Sequence, residues 1–243
     1  MRYQRQEILP FVGVAGQDRL RNGRVLVIGA GGLGCPLLLY LSAGGVGKIA
    51  VMDGDSVDIT NLHRQVLYTE ESIGKNKALE AVRLLRERNS EIECEPLPDH
   101  LCEHNLQVLN TQWDVVVDCT DRLATRHLID RACSEQGIPW VHAAVEGQQL
   151  QVAVFGLAAA GEPAVRYSDV FPPESGAIHE LFTCNVHGVM GPDPGIAALI
   201  QARETLNILL GRGSTLAGKM LVLNLETYHQ YEIKLRTRSM EHP

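Results

Sequence analysis

The feature that most constrains the fold of this chain is a glycine-rich turn between an apolar run and an apolar helix, within residues 24–55. Residues 25–28 are a short β-branched run, typical of a parallel strand that is buried on both faces. The turn GAGGLG occupies residues 29–34, a leucine-rich helical pattern follows, and residues 49–52 have the pattern of a second strand. Strand, glycine turn, helix and strand in this order predict a nucleotide-binding βαβ unit.

The spacing of the glycines fits the chemistry of phosphate binding. Such a turn lets backbone N–H groups approach a phosphate at the start of a helix, where the helix dipole favours an anion. The glycines concerned are Gly29, Gly31, Gly32 and Gly34. Asp53 follows at the end of the second predicted strand, where a carboxylate can accept hydrogen bonds from ribose hydroxyls. The alternative is a glycine turn needed only for close packing of helix on strand.

Composition bounds the class of protein. The 243 residues, 45% of them apolar, suffice for one large α/β domain or one domain with an appendage. The net charge of -7 argues against a nucleic-acid partner, which normally requires a basic face. No apolar leader follows Met1, and seven glycines interrupt the most apolar window, so we expect no signal peptide and no membrane span. Six cysteines without a C-x-x-C pair predict buried thiols in a cytoplasmic protein.

Polar residues follow the second predicted strand, at the edge where open α/β sheets bind ligands. Asp55, Asn61 and Arg64 lie in this segment. Lys77 then opens the next predicted helix, although a cation is unfavourable at the amino-terminal end of a helix. A bound polyphosphate would explain this lysine, and an ordinary surface lysine is the alternative.

A second acidic residue ends another predicted strand. Residues 114–121 form a strong strand pattern that ends at Asp121, and Arg122 and a helix through Arg126 follow. Because the carboxyl ends of parallel strands meet at one edge of a sheet, we expect Asp121 beside the glycine turn. A carboxylate there is suited to hold Mg²⁺, which commonly combines one or two carboxylates with substrate phosphates.

We expect one domain over residues 1–243 with an α/β, Rossmann-like, doubly wound and mainly parallel sheet that carries an antiparallel carboxyl-terminal extension. Its parts are an amino-terminal arm or helix (1–23), a nucleotide-binding core (24–155), a crossover loop (156–194), and a helix with an edge hairpin (195–243). The remaining predicted strands cover residues 92–97, 140–144, 150–155, 220–225 and 231–235, and the remaining predicted helices begin at residue 74 and cover 101–109 and 195–210.

Cys184 lies in the crossover loop shortly before the last predicted helix, with His187 three residues further on. A helix amino terminus and a nearby imidazole can lower the pKa of a thiol and make it nucleophilic. A half-buried, inert thiol is the alternative. These two residues lack the second pair that a zinc site requires.

Five spaced segments together resemble the ThiF/MoeB/HesA adenylyltransferases, the prokaryotic relatives of ubiquitin-activating enzymes. The segments are RYQRQEIL, VLVIGAGGLGCPLLLYLSAGGVGKI, DGDSVDITNLHRQVLY, GKNKA and DVVVDCTD. The resemblance extends from Arg2 to around Leu235. It implies that ATP and Mg²⁺ are used to adenylate the carboxyl-terminal glycine of a small ubiquitin-like sulfur-carrier protein that ends in Gly-Gly. This step prepares the carrier for thiocarboxylate formation in a thiamine, molybdopterin or specialised sulfur pathway.

The resemblance also implies roles for particular residues. Arg5 matches an arginine that the family donates across a homodimer interface to the γ-phosphate, and Cys184 matches the cysteine that attacks or links to the activated carrier. The implied catalytic residues are Arg5, Arg64, Lys77, Asp121 (the Mg²⁺ ligand) and Cys184. The implied ATP-binding residues are Gly29, Gly31, Gly32, Gly34, Asp53, Asp55, Asn61, Arg64, Lys77, Asp121 and Arg122.

One departure from the family concerns zinc. Most relatives carry two C-x-x-C pairs that bind a structural zinc, but here the first pair would fall at Arg166 and Asp169 and the second in a tail that this chain lacks. We therefore expect no zinc. Two further classes stay open, an NAD-dependent oxidoreductase and a non-catalytic nucleotide-binding docking subunit. A related ATP-dependent cyclisation of a tRNA base is disfavoured by the acidic net charge.

Overall fold

Eight strands form one mixed sheet in the part of the chain that the structure describes. The structure, a computed structural model, describes residues 2–110, 112–159, 161–173 and 188–238. The strands are β1 (Arg24–Ile28), β2 (Lys48–Met52), β3 (Glu93–Leu97), β4 (Val115–Asp118), β5 (Trp140–Glu146), β6 (Gln149–Phe155), β7 (Lys219–Asn224) and β8 (Gln230–Lys234). Their order is β3-β2-β1-β4-β5-β6-β7-β8. The first five in this order are parallel and the last three are added antiparallel, which confirms the predicted fold class.

Helices cover the sheet and connect its parallel strands. The α-helices are α1 (Gln4–Glu7), α2 (Gly13–Asn22), α3 (Gly34–Gly44), α4 (Lys77–Arg88), α5 (Leu123–Gln136), α6 (Tyr167–Val170) and α7 (Pro192–Leu209). Short 3-10 helices cover Ile59–Asn61, Glu70–Ser72 and Glu103–Leu109. None of the helices described is both long and apolar enough to cross a bilayer. The strand order reverses between β1 and β4, which places a ligand crevice at the carboxyl ends of these strands.

The parallel strands are buried on both faces, as the apolar run at residues 25–28 predicted. Val25 and Val27 belong to the apolar cluster that contains the leucines of α3, whereas Leu26 and Ile28 belong to the cluster that contains Ile129 of α5. These four side chains are at most 2% exposed. The sheet is therefore a central layer between helices.

Two glycines of the turn are required by the fold itself. Gly29 has a φ of +98°, and a Cβ atom there would lie 2.6 Å from the carbonyl oxygen of Cys119. A Cβ atom on Gly34 would lie 2.1 Å from the carbonyl oxygen of Gly29. Helix α3 can therefore begin this close to the end of β1 only without a side chain at Gly34.

Two helical predictions need correction. The amino-terminal segment contains two helices, α1 and α2, which are separated around Pro10, where a proline cannot continue the helical hydrogen bonds. The helix predicted over residues 101–109 is a 3-10 helix, Glu103–Leu109, with a non-helical residue at Asn105. The side chain of Asn105 accepts the Cys102 N–H at 2.8 Å, and this local bond competes with regular helix formation.

The prediction that a strand extends to Asp121 was wrong by three residues. Strand β4 ends at Asp118, and Asp121 lies in the loop that follows. The Asp118 carboxylate accepts hydrogen bonds from the Thr120 N–H at 3.0 Å and the Thr120 hydroxyl at 2.6 Å. These bonds turn the backbone out of the sheet after Asp118. The apolar run that precedes Asp118 contains no signal that predicts this turn.

Candidate functional site

Asp53 supports the glycine turn from the end of β2. It is 8% exposed, its Oδ2 accepts the Ala30 N–H at 2.7 Å, and its Oδ1 accepts the Asp55 N–H at 2.9 Å. The Tyr68 hydroxyl donates to the Ala30 carbonyl at 2.9 Å. Both polar groups of the Ala30 backbone are thus held by side chains. Asp53 lies where the sequence predicted it, but each of its carboxylate oxygens already accepts a backbone N–H.

Arg64 lies directly against the glycine turn. A Cβ atom on Gly32 would lie 3.4 Å from Cγ and Cδ of Arg64 and 3.3 Å from Cγ of Pro194. The Arg64 Nη1 donates to the Thr60 carbonyl at 3.2 Å and lies 3.4 Å from His63 Nε2. Among the described residues these contacts leave its charge without a carboxylate partner. The Arg64 guanidinium can therefore serve an anion held at the turn.

Lys77 reaches the end of β2 from the first turn of α4. Its side chain is 8% exposed, and its Nζ donates to Asp55 Oδ2 at 3.0 Å. Asp55 Oδ1 lies 3.4 Å from Nε2 of His100. Partial burial opposes ionisation of Asp55, but the hydrogen bond and charge of Lys77 hold its pKa below the ordinary value. The charges of His100 and Arg122 act in the same direction. Asp55 therefore explains a lysine at this helix end without any polyphosphate.

The loop that carries Asp121 lies beside the same turn. The Cys119 N–H donates to the Ile28 carbonyl at 2.8 Å, and the Cys119 carbonyl oxygen is the atom that excludes a side chain from Gly29. Asp121, two residues further on, is exposed. The exposed Asp121 thus lies in a loop beside the turn, and its role as a Mg²⁺ ligand stays a prediction.

A buried cluster of charged and polar side chains lies beneath this loop. Asp118 Oδ2 accepts a hydrogen bond from His142 Nδ1 at 2.9 Å and lies 3.3 Å from Arg126 Nε, an ion pair without hydrogen-bond geometry. Burial alone would raise the pKa of Asp118, but the hydrogen bond from His142 and the charge of Arg126 hold it below the ordinary value. Burial lowers the pKa of His142, which Asp118 only partly opposes, so the imidazole is neutral at pH 7.

Most of the predicted site residues surround one crevice. They are the glycines of the turn, Asp53, Asp55, Arg64, Lys77, Arg122 and the loop of Asp121. Asn61 lies in the 3-10 helix just before Arg64, and its carbonyl accepts the Arg64 N–H at 3.1 Å. Arg64 therefore lies at the glycine turn, and Lys77 lies at the end of the neighbouring strand β2.

Arg5 is not part of this group within one chain. The neighbouring Gln6 donates from Nε2 to the carbonyl of Gly44 at 3.0 Å, at the end of α3 that is remote from the glycine turn. Helix α3 has 11 residues and is therefore about 16 Å long. Arg5 is exposed on α1 and is separated from the turn by that length. Cys184 and His187 lie outside the described residues.

The structure tests the predicted burial of the cysteines but not the predicted absence of zinc. Cys35, Cys94, Cys119 and Cys133 are buried free thiols, as predicted, whereas Cys102 is exposed. Burial raises the pKa of Cys35 to about 12. Within the ranges described, no three His, Cys, Asp or Glu side chains are grouped so as to hold a metal ion. The absence of zinc remains a prediction.

Sequence reasoning missed Gln65, which lies at the turn, and the buried Asp118, Arg126 and His142 beneath the Asp121 loop. Asp118 and His142 were included in predicted strands as ordinary members, although a charged or titratable residue inside an apolar run is a signal in itself. Gln65 is 3% exposed, and its Oε1 has no hydrogen-bond partner among the residues described. An orphaned polar atom this close to the turn is expected where a ligand completes the site.

The crevice fits a nucleoside triphosphate with one metal ion. A Cβ atom on Gly31 would meet only Gln65 Nε2, at an ordinary 3.6 Å, so packing does not require a glycine there. The missing side chain instead leaves open space at the start of α3, where a phosphate can approach backbone N–H groups. Asp121 offers one exposed carboxylate, which suits Mg²⁺ because this ion takes its remaining ligands from phosphates and water.

Comparison with known proteins identifies the family. The sequence matches the ThiF family over residues 3–243. The chain belongs to the ThiF family. It is 42% identical over 224 residues to the sulfur carrier protein adenylyltransferase of Thermus thermophilus, across 91% of this chain and 82% of that protein. It is 40% identical over 243 residues to the adenylyltransferase and sulfurtransferase MOCS3 of Danio rerio, across 99% of this chain and 51% of that protein. The chain spans about half the length of the MOCS3 relatives it matches.

Solved structures share the ThiF-type fold. The structure of E. coli MccB with AMPCPP and MccA has a TM-score of 0.83 at 22% identity, covering 100% of this chain and 73% of that chain. The structure of PaaA has a TM-score of 0.77 at 22% identity, covering 96% of this chain and 72% of that chain. At these identities the likeness concerns the fold alone. It confirms the Rossmann-like sheet with its antiparallel extension.

Substitution of the two kinds of glycine in the turn should separate folding from ligand binding. We expect Gly34→Ala to destabilise the protein by about 3 kcal/mol, because its Cβ atom would collide with the Gly29 carbonyl. Gly31→Ala should change stability by less than about 0.5 kcal/mol but weaken ATP binding. Urea unfolding and calorimetric ATP titration of both variants measure this. Undiminished ATP binding by Gly31→Ala would place the phosphates elsewhere.

The buried His142 should make the protein lose stability as the pH falls below about 6.5. The lowered pKa means that the unfolded chain takes up a proton near pH 6.5 while folded His142 stays neutral. Unfolding free energy should then decrease by up to about 1.4 kcal/mol per pH unit from this group, until its lower folded pKa is reached. Asp118 acts in a separate window, below its ordinary pKa of 3.8. His142→Asn, which keeps a donor to Asp118, should flatten the slope between pH 7.5 and 5.5 in urea titrations. His104→Asn, at an exposed position, is the matched control, and equal slopes in both variants would contradict the assignment.

Proposed function

We propose that this chain catalyses the ATP- and Mg²⁺-dependent adenylation of the carboxyl-terminal glycine of a ubiquitin-like sulfur-carrier protein. The observation that carries the proposal is the grouping of Arg64, Lys77 and the Asp121 loop around a glycine turn whose Gly31 is left open. The named relatives support the reaction, since one is a sulfur carrier protein adenylyltransferase. Residues 1–243 would form one adenylation domain, with the nucleotide-binding core at 24–155 and the crossover loop at 156–194.

The reaction suits a site built from cations. The carboxylate of the carrier attacks the α-phosphorus of ATP, a carbon–oxygen–phosphorus link forms, and pyrophosphate leaves. Both reactants are anions, so the barrier is mainly repulsion and positioning. Arg64 and Lys77 can neutralise charge that develops on the leaving pyrophosphate. No general base is needed, because the attacking carboxylate is already ionised at neutral pH.

Lys77 has to change partner during this reaction. Its ammonium group is bound to Asp55, which is half exposed and therefore able to move or to accept ribose hydroxyls instead. Asp53 keeps the turn in shape, while Asp55 is the more accessible acceptor for the ribose. Mg²⁺ bound by Asp121 would supply further positive charge at the phosphates.

A second copy of the chain would complete the site. Arg5 lies one helix length away from the turn of its own chain, so its implied contact with the γ-phosphate requires a partner subunit. We propose a homodimer with Arg5 donated in trans.

Cys184 is proposed as the thiol that attacks or links to the activated carrier. The cytoplasm is proposed as the location of the protein.

Two alternative functions would explain fewer of the residues around the glycine turn. An NAD-dependent oxidoreductase would use the glycine turn and an acidic strand end, but it gives Arg64, Lys77 and Asp121 no task. A docking subunit without catalysis would not need an unpaired guanidinium against the turn. Equilibrium titration decides between nucleotides, because tighter binding of NADH than of ATP would favour the oxidoreductase.

The proposed reaction is tested by exchange of labelled pyrophosphate into ATP. Exchange should require Mg²⁺ and a small ubiquitin-like protein that ends in Gly-Gly. The matched control is the same carrier without its last two glycines, which should give none. No exchange with any such carrier, or equal exchange with the truncated one, would overturn the proposal.

A further inference from the structure

We propose that Asp118 and Arg126 are positioning residues that fix the loop of Asp121, and so set the affinity of the nucleotide site for its Mg²⁺. The inference rests on the proposed function only for the identity of the metal ligand, Asp121. It assigns a task to a buried ion pair that neither contacts the nucleotide crevice nor belongs to the predicted site. The residue through which both act is Thr120.

Every polar group of Thr120 is held by one of these two side chains. The Asp118 Oδ1 accepts both the N–H and the hydroxyl of Thr120, at 3.0 and 2.6 Å. The Thr120 carbonyl accepts Arg126 Nη2 at 2.8 Å. Thr120 directly precedes Asp121, so fixing both of its peptide groups fixes the start of the Asp121 backbone. Arg126 and Asp118 are in turn joined through Nε and Oδ2 at 3.3 Å.

The remaining contacts of Asp118 tie the loop to the body of the protein. His142, from β5, donates to Oδ2 at 2.9 Å, and Gln201, from α7, donates to the Asp118 carbonyl at 2.7 Å. Asp118 is fully buried, and the Arg126 side chain is 13% exposed. Strand β5 and helix α5 thus meet at the Asp118 carboxylate and helix α7 at the Asp118 backbone carbonyl, which holds the loop against several fixed elements.

Stability alone is a poor reason for such an arrangement. A buried ion pair loses hydration energy that its attraction often fails to recover, so apolar residues of similar volume would serve the fold as well or better. What the pair produces is a rigid connection of two residues, Cys119 and Thr120, between the end of β4 and Asp121. Groups that orient a metal ligand in this way typically change metal affinity by about 10- to 100-fold when they are removed.

The test uses variants that keep the buried charge or change a single atom group. Arg126→Lys retains a cation beside Asp118 but loses the simultaneous contact with the Thr120 carbonyl. Thr120→Val replaces the hydroxyl by a methyl group, whereas Thr120→Ser keeps the hydroxyl. Asp121→Asn is the reference for loss of the metal ligand itself. Arg131→Lys, an exposed position on the same helix, is the matched control.

The readout is the thermodynamic coupling between Mg²⁺ and nucleotide, measured by calorimetric titration of α,β-methylene ATP with and without MgCl₂. We expect the Mg²⁺-dependent gain in affinity to fall by about tenfold or more in Arg126→Lys and clearly in Thr120→Val. Thr120→Ser and Arg131→Lys should match the wild type, and affinity without Mg²⁺ should stay unchanged in the Arg126, Thr120 and Arg131 variants. Half-saturation of pyrophosphate exchange by Mg²⁺ should shift in parallel.

Several results would overturn the inference. Wild-type coupling in both Arg126→Lys and Thr120→Val, at a midpoint of thermal unfolding close to that of the wild type, contradicts it. So does an equal loss of affinity with and without Mg²⁺, which is what general damage to the fold would give. If Arg126→Lys does not fold, the Thr120 pair decides alone. Absence of any Mg²⁺ coupling in the wild type also refutes it. Failure of the carrier reaction alone, with coupling intact and sensitive to these variants, refutes the proposed function and not this inference.

Discussion

Replacing Lys77 by methionine is expected to reduce carrier-dependent pyrophosphate exchange by about 100- to 1,000-fold in kcat/KM. The methionine is close in length and fills the buried path of the lysine stem, so the fold should be retained. What disappears is the cation at the end of β2 that we propose neutralises the charge developing on the leaving pyrophosphate, from a side chain that is only 8% exposed. The loss should appear in kcat more than in the affinity for ATP.

Lys75→Met is the matched control for this prediction. Lys75 lies two residues earlier, and its half-exposed side chain pairs with Glu80 at 3.4 Å. Glu80 is buried but keeps its ion pair with Arg83 and its hydrogen bond from Ser72, so loss of the half-exposed Lys75 should cost about 1 kcal/mol or less and leave exchange nearly unchanged. If Lys77→Met retained wild-type exchange, the chain would be better described as a docking subunit than as an adenylyltransferase.

Mixing two inactive variants should restore activity if Arg5 acts across a dimer. Arg5→Ala and Arg64→Ala are each expected to lose nearly all exchange, because one removes the donated cation and the other the cation at the turn. In a mixed dimer, the site on the Arg5→Ala subunit receives Arg5 from its partner and is complete. With random reassembly of equal amounts, about a quarter of all sites should be intact.

The mixing experiment has a built-in control. Arg64→Ala mixed with Lys77→Met should restore nothing under the in-trans arrangement, because both changes damage the site of their own subunit. Recovery in that mixture, or none in the Arg5 and Arg64 mixture after subunit exchange has been verified by mass spectrometry, would contradict donation in trans. A chain that sediments as a monomer at assay concentrations would contradict it as well.

The parts of the fold that could be predicted from the sequence are those with a periodic or a steric signal. The β-branched runs predicted β1 and β4. The glycine turn predicted the start of α3, because no residue other than glycine fits at positions 29 and 34. The fold class followed from the order of strands and helices. These signals are local, and so they can be read from one chain.

Long-range polar contacts could not be predicted in the same way. The end of β4 depends on Asp118 binding its own loop, and the burial of Asp118 depends on His142 and Arg126, which arrive from β5 and α5. Nothing in a linear pattern says that an acid in an apolar run will meet these partners. The sequence could place acidic and basic residues at one edge of the sheet, but their pairing required the packed structure.

The prediction for Lys77 rested on an incomplete reason. A cation is unfavourable at a helix amino terminus, and a bound polyphosphate was the predicted explanation for this lysine. The structure supplies a protein partner instead, Asp55, at 3.0 Å. The structure thus shows Lys77 paired with Asp55 at the end of β2, and its contact with a nucleotide stays a prediction.

The central claim, that a carrier carboxylate attacks the α-phosphorus of ATP in this crevice, is tested most directly by oxygen transfer. A Gly-Gly carrier labelled with ¹⁸O in its terminal carboxylate is incubated with the protein, ATP and Mg²⁺, and hydroxylamine is added to cleave the product at the carbonyl carbon. If the claim is correct, the released AMP carries one labelled oxygen and the pyrophosphate carries none. AMP without label, or label in the pyrophosphate, would contradict it.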